Sequence, residues 1–168
     1  SEFDKLVIAA INGIAAGGGL SFAMACDIRI ASDRARFSQI FVKRGILPDA
    51  GSTWLLPRLV GIAKAYELSW TGDIIDAAEA ERIGLVSRVV PHDDLLSVVR
   101  ELATRIASGP PIAIQLTKRA LSQGAKNPDL YSQIGVEGHY NAICFTTEDR
   151  KEGVRAFIEK RDPVFKGR

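Results

Sequence analysis

Residues Ile11-Asn12-Gly13-Ile14-Ala15-Ala16-Gly17-Gly18-Gly19-Leu20 follow directly on the apolar run Leu6-Val7-Ile8-Ala9-Ala10, and this junction decides how the rest of the chain is read. A buried strand passes through three consecutive glycines into a helix that starts near Gly18. The first N–H groups of a helix have no partner within it, the dipole there is positive, and glycine lets a ligand approach the backbone with no side chain between. The junction therefore predicts a site for an anion or an oxyanion. The same glycines also suit a tight turn with close helix packing, and residues 17–19 by themselves leave both readings open.

Working outward, residues 6–11 and 28–32 read as buried strands on either side of a short helix over 18–26, a βαβ arrangement that demands parallel strands and a right-handed crossover. Beyond Gly51 the pattern is largely helical. A short strand is predicted over 86–90 and helices over 93–107, 111–123 and 129–145. Pro110-Pro111 and Asn127-Pro128 separate the helices, and Thr147-Glu148-Asp149 reads as an N-terminal cap with acidic residues in the first turn. No internal repeat, low-complexity tract or linker is visible.

The chain has 168 residues, 46% hydrophobic and 25% charged, with a formal net charge of +2, which bounds it to one or two domains with a sizeable core. Its basic residues are dispersed, so nothing indicates nucleic acid; the short pairs Lys118-Arg119 and Arg150-Lys151 read as solvated helix faces. Cys26 and Cys144 lie far apart in apolar surroundings and read as reduced core residues. His92, in a Pro-His-Asp-Asp helix start, and His139, isolated in a helical pattern, do not make a metal site. With no signal peptide and no apolar run long enough to span a bilayer, a cytoplasmic location is the expectation.

The segment from Ala15 through Gly17-Gly18-Gly19 and Cys26-Asp27 to Ser32, continuing through Ala35-Arg36-Phe37-Ser38, resembles the central signature of the crotonase (enoyl-CoA hydratase/isomerase) superfamily. Further similarity lies in Gly45-Ile46-Leu47-Pro48-Asp49-Ala50-Gly51-Ser52-Thr53, in Thr71-Gly72, in Ala77-Ala78-Glu79-Ala80 with Gly84-Leu85-Val86, and in the helix from Glu152-Gly153 to Arg161. The resemblance implies an α/β fold, a ββα superhelix, with residues 1–90 as the second part of the spiral core and 91–168 as a helical oligomerisation region. It also implies a homo-oligomer, a trimer or a dimer of trimers, and an acyl-CoA thioester as substrate with no separate cofactor. Because the match begins where the family's second half begins, the chain is expected to be a fragment lacking the other oxyanion donor. Loss of one such donor typically costs ~2.7–4 kcal/mol of transition-state stabilisation, so the isolated chain is expected to be a poor enzyme.

In the family the middle glycine, here Gly18, donates one of two N–H groups to the thioester oxygen, and Gly17, Gly19 and Ser21 flank it in the binding region. Asp49 is the leading catalytic candidate. From the residues alone its carboxylate is a preferred cap for the helix containing Trp54. The resemblance to epoxyphenylacetyl-CoA isomerase and to Δ3,Δ2-enoyl-CoA isomerases, which carry an acid at the matching loop position, implies instead a general base. Moving a double bond by 1,3-proton transfer needs only one carboxylate, with the negative charge resting on the oxyanion meanwhile.

Typical hydratases of the family use two Glu residues to hold and deprotonate water, and the matching positions here are Ser21 and Phe41. An isomerase is therefore expected before a hydratase or a noncatalytic acyl-CoA-binding module. Phe41 and Trp54 are expected to line the acyl pocket, while Phe157 and Lys160 match family positions that touch CoA. The plain alternative for the last two is one core Phe and one solvated Lys. Asp73, Asp76 and Glu81 look structural. A ring-bearing acyl group and a straight-chain 3-enoyl group are equally compatible with these residues.

Overall fold

A computed structural model describes residues 3–127 and 129–168, which leaves Pro128 and its predicted helix-breaking role outside the described residues. The chain divides into two units: Val7–Glu101, and a second formed by Leu102–Arg168 with the segment just before Val7. Each is described by itself.

In the first unit the apolar run becomes β1 (Ile8–Ile11), which pairs in parallel with β3 (Ile28–Ser32), Ile8 opposite Ile28 and Ile11 opposite Ala31. Strand β6 (Arg88–Val90) lies parallel on the other side of β3, giving the order β1-β3-β6. The expected βαβ unit is present, but the chain inserts a further short strand after β1 and another after β3. Strand β2 (Ile14–Ala16) pairs in parallel with β4 (Arg36–Ser38), and β4 pairs antiparallel with β5 (Ile75–Asp76), so a second sheet runs β2-β4-β5. The first two turns, β1-β2 and β3-β4, thus each contribute one strand to each sheet before a helix, the ββα pattern of the superhelix. Strands of two or three residues carry too little periodicity to be read from sequence.

Helix α1 (Gly18–Ala25) follows β2, and its residues Leu20, Ala23 and Met24, spaced i, i+3 and i+4, are buried. They belong to one core with Phe37, Leu56, Leu85 and Val86, where Ala31, Ala35 and Ala80 let backbones approach closely. A 3₁₀ turn over Ile40–Arg44 follows β4, and helices α2 (Ser52–Val60), α3 (Ile62–Thr71) and α4 (Ala77–Arg82) complete this unit with the first half of α5 (Leu95–Ala107). Helix α4 is capped by Asp76, whose carboxylate accepts from the Glu79 N–H at 2.8 Å. His92 starts a 3₁₀ turn, and its Nδ1 lies 2.9 Å from the buried Ser32 hydroxyl, tying the end of β6 to β3.

The second unit is helical: α6 (Pro111–Gly124), α7 (Leu130–Thr146) and α8 (Glu148–Glu159). Thr147 caps α8 through the Arg150 N–H at 3.1 Å, as the sequence predicts, and Asp129, read from the sequence as the first residue of the helix, caps α7 through the Ser132 N–H. The C-terminal tail folds back on α8, where the buried Asp149 carboxylate accepts from the N–H groups of Lys166 and Gly167 at 2.6 and 2.8 Å. None of the 17 residues of α7 is buried, although it carries Leu130, Tyr131, Ile134 and Phe145.

Cys26 and Cys144 are free but only half-buried, a correction to their reading as core residues. Cys26 caps the end of α1 and Cys144 sits on α7, a helix that buries none of its residues. Among the described residues no helix is long and apolar enough to cross a membrane.

Candidate functional site

The strand-to-helix junction is built around Gly17. Its φ of 52° with ψ of −125° is open to glycine and not to L side chains. Its N–H donates to Ser38 O at 3.0 Å and its carbonyl accepts from the Ser21 N–H at 3.0 Å, so the junction is anchored to β4 on one side and begins α1 on the other. A Cβ at Gly17 would meet Ile40 at 3.5 Å and the Phe41 ring at 3.7 Å, whereas at Gly18 or Gly19 it would meet nothing within 4 Å. Gly18 and Gly19 are the first two helical residues, α1 has no side-chain cap, and open space lies beside both. Their N–H groups therefore lie at an uncapped helix N-terminus with open space beside it.

Phe41, in the 3₁₀ turn, is buried and packs beneath Gly17. Ser21, one turn into α1, is fully buried (0% exposed); its hydroxyl lies 2.5 Å from Ser52 Oγ, 3.2 Å from Gly17 O and 3.3 Å from Asp49 O. These contacts bring the loop carrying Asp49 onto the junction that carries Gly18.

Asp49 is exposed and opens a turn closed by Ser52 N–H to Asp49 O at 2.9 Å. Both central residues have positive φ, Ala50 at 48° and Gly51 at 84°, the pattern of a type I′ turn. Gly51, not Asp49, is the N-cap of α2, and α2 has no side-chain cap bond. The Asp49 carboxylate thus does not do the capping work that sequence alone favoured.

Beside this loop a groove of about 300 Å³ opens between residues 46–48 and helices α2 and α3, with Ile46, Leu47, Pro48, Leu56, Tyr66 and Trp70 in its walls. Tyr66 and Trp70 stack at 4.6 Å between ring centroids. Phe41 and Trp54 lie outside these walls. Trp54 is 53% exposed on α2, with the Arg58 guanidinium 3.3 Å over its ring. In the second unit, Phe157 is 85% exposed near the end of α8, and Lys160 is the exposed residue after it, with φ 54°. Phe157 is therefore not the core residue of the plain alternative.

The remaining carboxylates have structural partners. Asp76 caps α4, Glu81 accepts from the Val89 N–H at 2.9 Å, and Asp73 meets Lys43 at 3.4 Å on the surface. No group of three or more His, Cys, Asp or Glu side chains converges among the described residues. Two buried polar residues near the site, Ser52 and Gln39, were missed from the sequence. Gln39 follows β4 and is 1% exposed, and neither its Nε2 nor its Oε1 has a hydrogen-bond partner among the described residues. Its polar type amid Phe37, Ile40 and Phe41 was the one available signal.

The ββα turns with a helical region after them define the crotonase-like α/β fold, shared with solved structures at TM-scores of 0.94 and 0.96. The family model for enoyl-CoA hydratase/isomerase matches residues 1–168, and the chain belongs to that family. It is 46% identical over 162 residues to a crotonyl-CoA hydratase of Syntrophomonas wolfei, covering 96% of this chain and 62% of that protein. A short-chain-enoyl-CoA hydratase of Clostridioides difficile is 50% identical over 153 residues, 91% of this chain and 97% of the relative. The crystal structure of an enoyl-CoA hydratase from Bacillus anthracis superposes with a TM-score of 0.96 at 44% identity, covering 99% of this chain and 64% of that one. The chain therefore spans less than two thirds of the S. wolfei and B. anthracis proteins. All three relatives are named hydratases, and none carries the isomerase name that the resemblance singled out.

Proposed function

We propose that the protein acts on an unsaturated acyl-CoA thioester and moves its double bond by 1,3-proton transfer, with the Gly18 N–H on the thioester oxygen and Asp49 as the single base. The observation that carries this reading is the Asp49 carboxylate. It is exposed on a loop fastened to the oxyanion junction, and it neither caps α2 nor takes part in an ion pair among the described residues. Removal of a proton alpha or gamma to the carbonyl places the electron pair on the thioester oxygen as an enolate. The same carboxyl group then returns the proton to the other carbon, so no water is consumed.

Anchoring through CoA converts binding into orientation of the reacting carbons. The apolar groove beside residues 46–48 supports an uncharged acyl tail, straight or ring-bearing. Phe157 and Lys160 are proposed CoA contacts, Gly17, Gly19 and Ser21 are proposed to flank the thioester region, and Phe41 and Trp54 to face the acyl group. The apolar side chains that α7 leaves exposed support a homo-oligomer, a trimer or a dimer of trimers, assembled through the helical region.

The second reading is hydration, favoured by the names of the three relatives. Against it stand the hydroxyl of Ser21 and the ring of Phe41 where the family's hydratases carry two carboxylates. The full-length protein is assayed with a 3-enoyl-CoA and with crotonyl-CoA, wild type against Asp49→Asn. Isomerisation lost in the variant, with fold and CoA binding intact, supports the single-base reading. Hydration of crotonyl-CoA that survives Asp49→Asn overturns it in favour of the hydratase.

A further inference from the structure

Ser21 and Ser52 come from helices 31 positions apart in sequence, are 0% and 1% exposed, and have hydroxyl oxygens 2.5 Å apart. Each carries one proton. The only acceptor within reach of Ser52 Oγ among the described residues is Ser21 Oγ, whereas Ser21 Oγ reaches two further acceptors, Gly17 O at 3.2 Å and Asp49 O at 3.3 Å. Proton bookkeeping therefore orients the chain of bonds: Ser52 donates to Ser21, and the Ser21 proton is shared between the two carbonyls. One of those carbonyls belongs to the junction that starts α1, the other to Asp49.

The turn held this way is strained. Ala50 sits at φ 48°, in the left-handed region that a side-chain-bearing residue rarely adopts. Such conformations persist only where the surroundings over-determine them. Two bonds converge on Asp49 O, from the Ser52 N–H at 2.9 Å and from the Ser21 hydroxyl, and they bracket Ala50 and Gly51.

We infer that Ser21 and Ser52 form a buried hydroxyl clamp that fixes the Asp49 turn against the Gly17–Gly18 junction, making both serines positioning residues for the reaction. The inference rests on the isomerase reading for its catalytic consequence only; the clamp itself is a statement about the loop. Neither serine touches substrate in this role. Their function is to set the distance between the base and the oxyanion donor, and a misplacement of about 1 Å can cost on the order of a hundredfold in rate.

The test uses the full-length protein with Ser21→Ala, Ser52→Ala and the double variant. It measures kcat and KM for a 3-enoyl-CoA, the thermal midpoint, and hydrogen exchange of the amide at position 52. A clamp predicts faster exchange at position 52 in Ser21→Ala, kcat lowered by up to about a hundredfold with KM changed less than about twofold, and a double variant no worse than the poorer single one. Unchanged exchange, or losses in kcat that multiply in the double variant, overturns it. If Ser21→Ala does not fold, Ser52→Ala decides by the same readouts, since it removes the hydroxyl and keeps the N–H that closes the turn. If Asp49→Asn retains full turnover, the base reading fails, and exchange at position 52 alone decides the clamp.

Discussion

The N–H of Gly17 donates to the carbonyl of Ser38 across 3.0 Å, and this bond locks the start of α1 to the end of β4 in a conformation that only glycine adopts freely. Gly17→Ala keeps the bond's atoms but forces a side chain into φ 52°, with Ile40 and the Phe41 ring at van der Waals distance. It is expected to lower stability by about 1–3 kcal/mol. Denaturant unfolding checks this, and Gly18→Ala, whose Cβ meets open space, serves as the comparison.

Asp49 and Asp76 stand in contrast, because only Asp76 caps a helix. Asp76→Ala is expected to cost about 1 kcal/mol of stability, the usual price of a lost N-cap. Asp49→Asn is expected to stay within about 0.5 kcal/mol of wild type, as for a surface substitution away from such features. Equal losses in the two variants, measured by denaturant titration, would restore a structural role to Asp49.

Gln39 buries a donor and an acceptor that no described residue satisfies. Leaving such a group buried typically costs about 1–3 kcal/mol, and an apolar group of the same shape removes that cost. Gln39→Met is therefore expected to be neutral or stabilising in thermal unfolding. A clear drop in the midpoint would mean that the amide has a partner in solution.

At the far end of the chain, the Arg161 guanidinium is bonded to both oxygens of Glu152, and the Val164 N–H donates to one of them at 3.0 Å. The Arg161 hydrogen bonds, followed by the Val164 N–H, hold the Glu152 carboxyl at about 2 rather than its ordinary 4.5. The folded state binds this proton more weakly than the unfolded chain, so protonation favours unfolding. The stabilisation by Glu152 is then complete above about pH 4.5 and is lost as the pH falls through about 2. Thermal midpoints of wild type and Glu152→Gln are expected to differ at pH 7 and to converge near pH 2; a constant gap across that range would refute the coupling.

Features under short-range control were legible in the chain before any tertiary contact was known. The apolar run at 28–32 is a strand with those limits, Pro111 starts α6, and Thr147 caps α8 through an N–H group three residues on. The glycine junction is equally local, because the backbone at Gly17 and the open space beside Gly18 follow from the absence of side chains there. Tertiary structure decided whatever depends on residues distant in the chain. Strands β2, β4 and β5, two or three residues long, exist only through pairing with one another. Cys26 and Cys144, apolar in their sequence neighbourhood, are half-buried because the described residues packed around them leave them partly uncovered. Asp49 looked like a cap, and Gly51 took that place when the turn adopted two successive positive φ angles. Ser21 showed only as a missing carboxylate. Its hydrogen bonds to Ser52 and Asp49 span 31 and 28 positions of sequence, a separation that no local pattern encodes and that only the closing of the spiral brings within 3.3 Å.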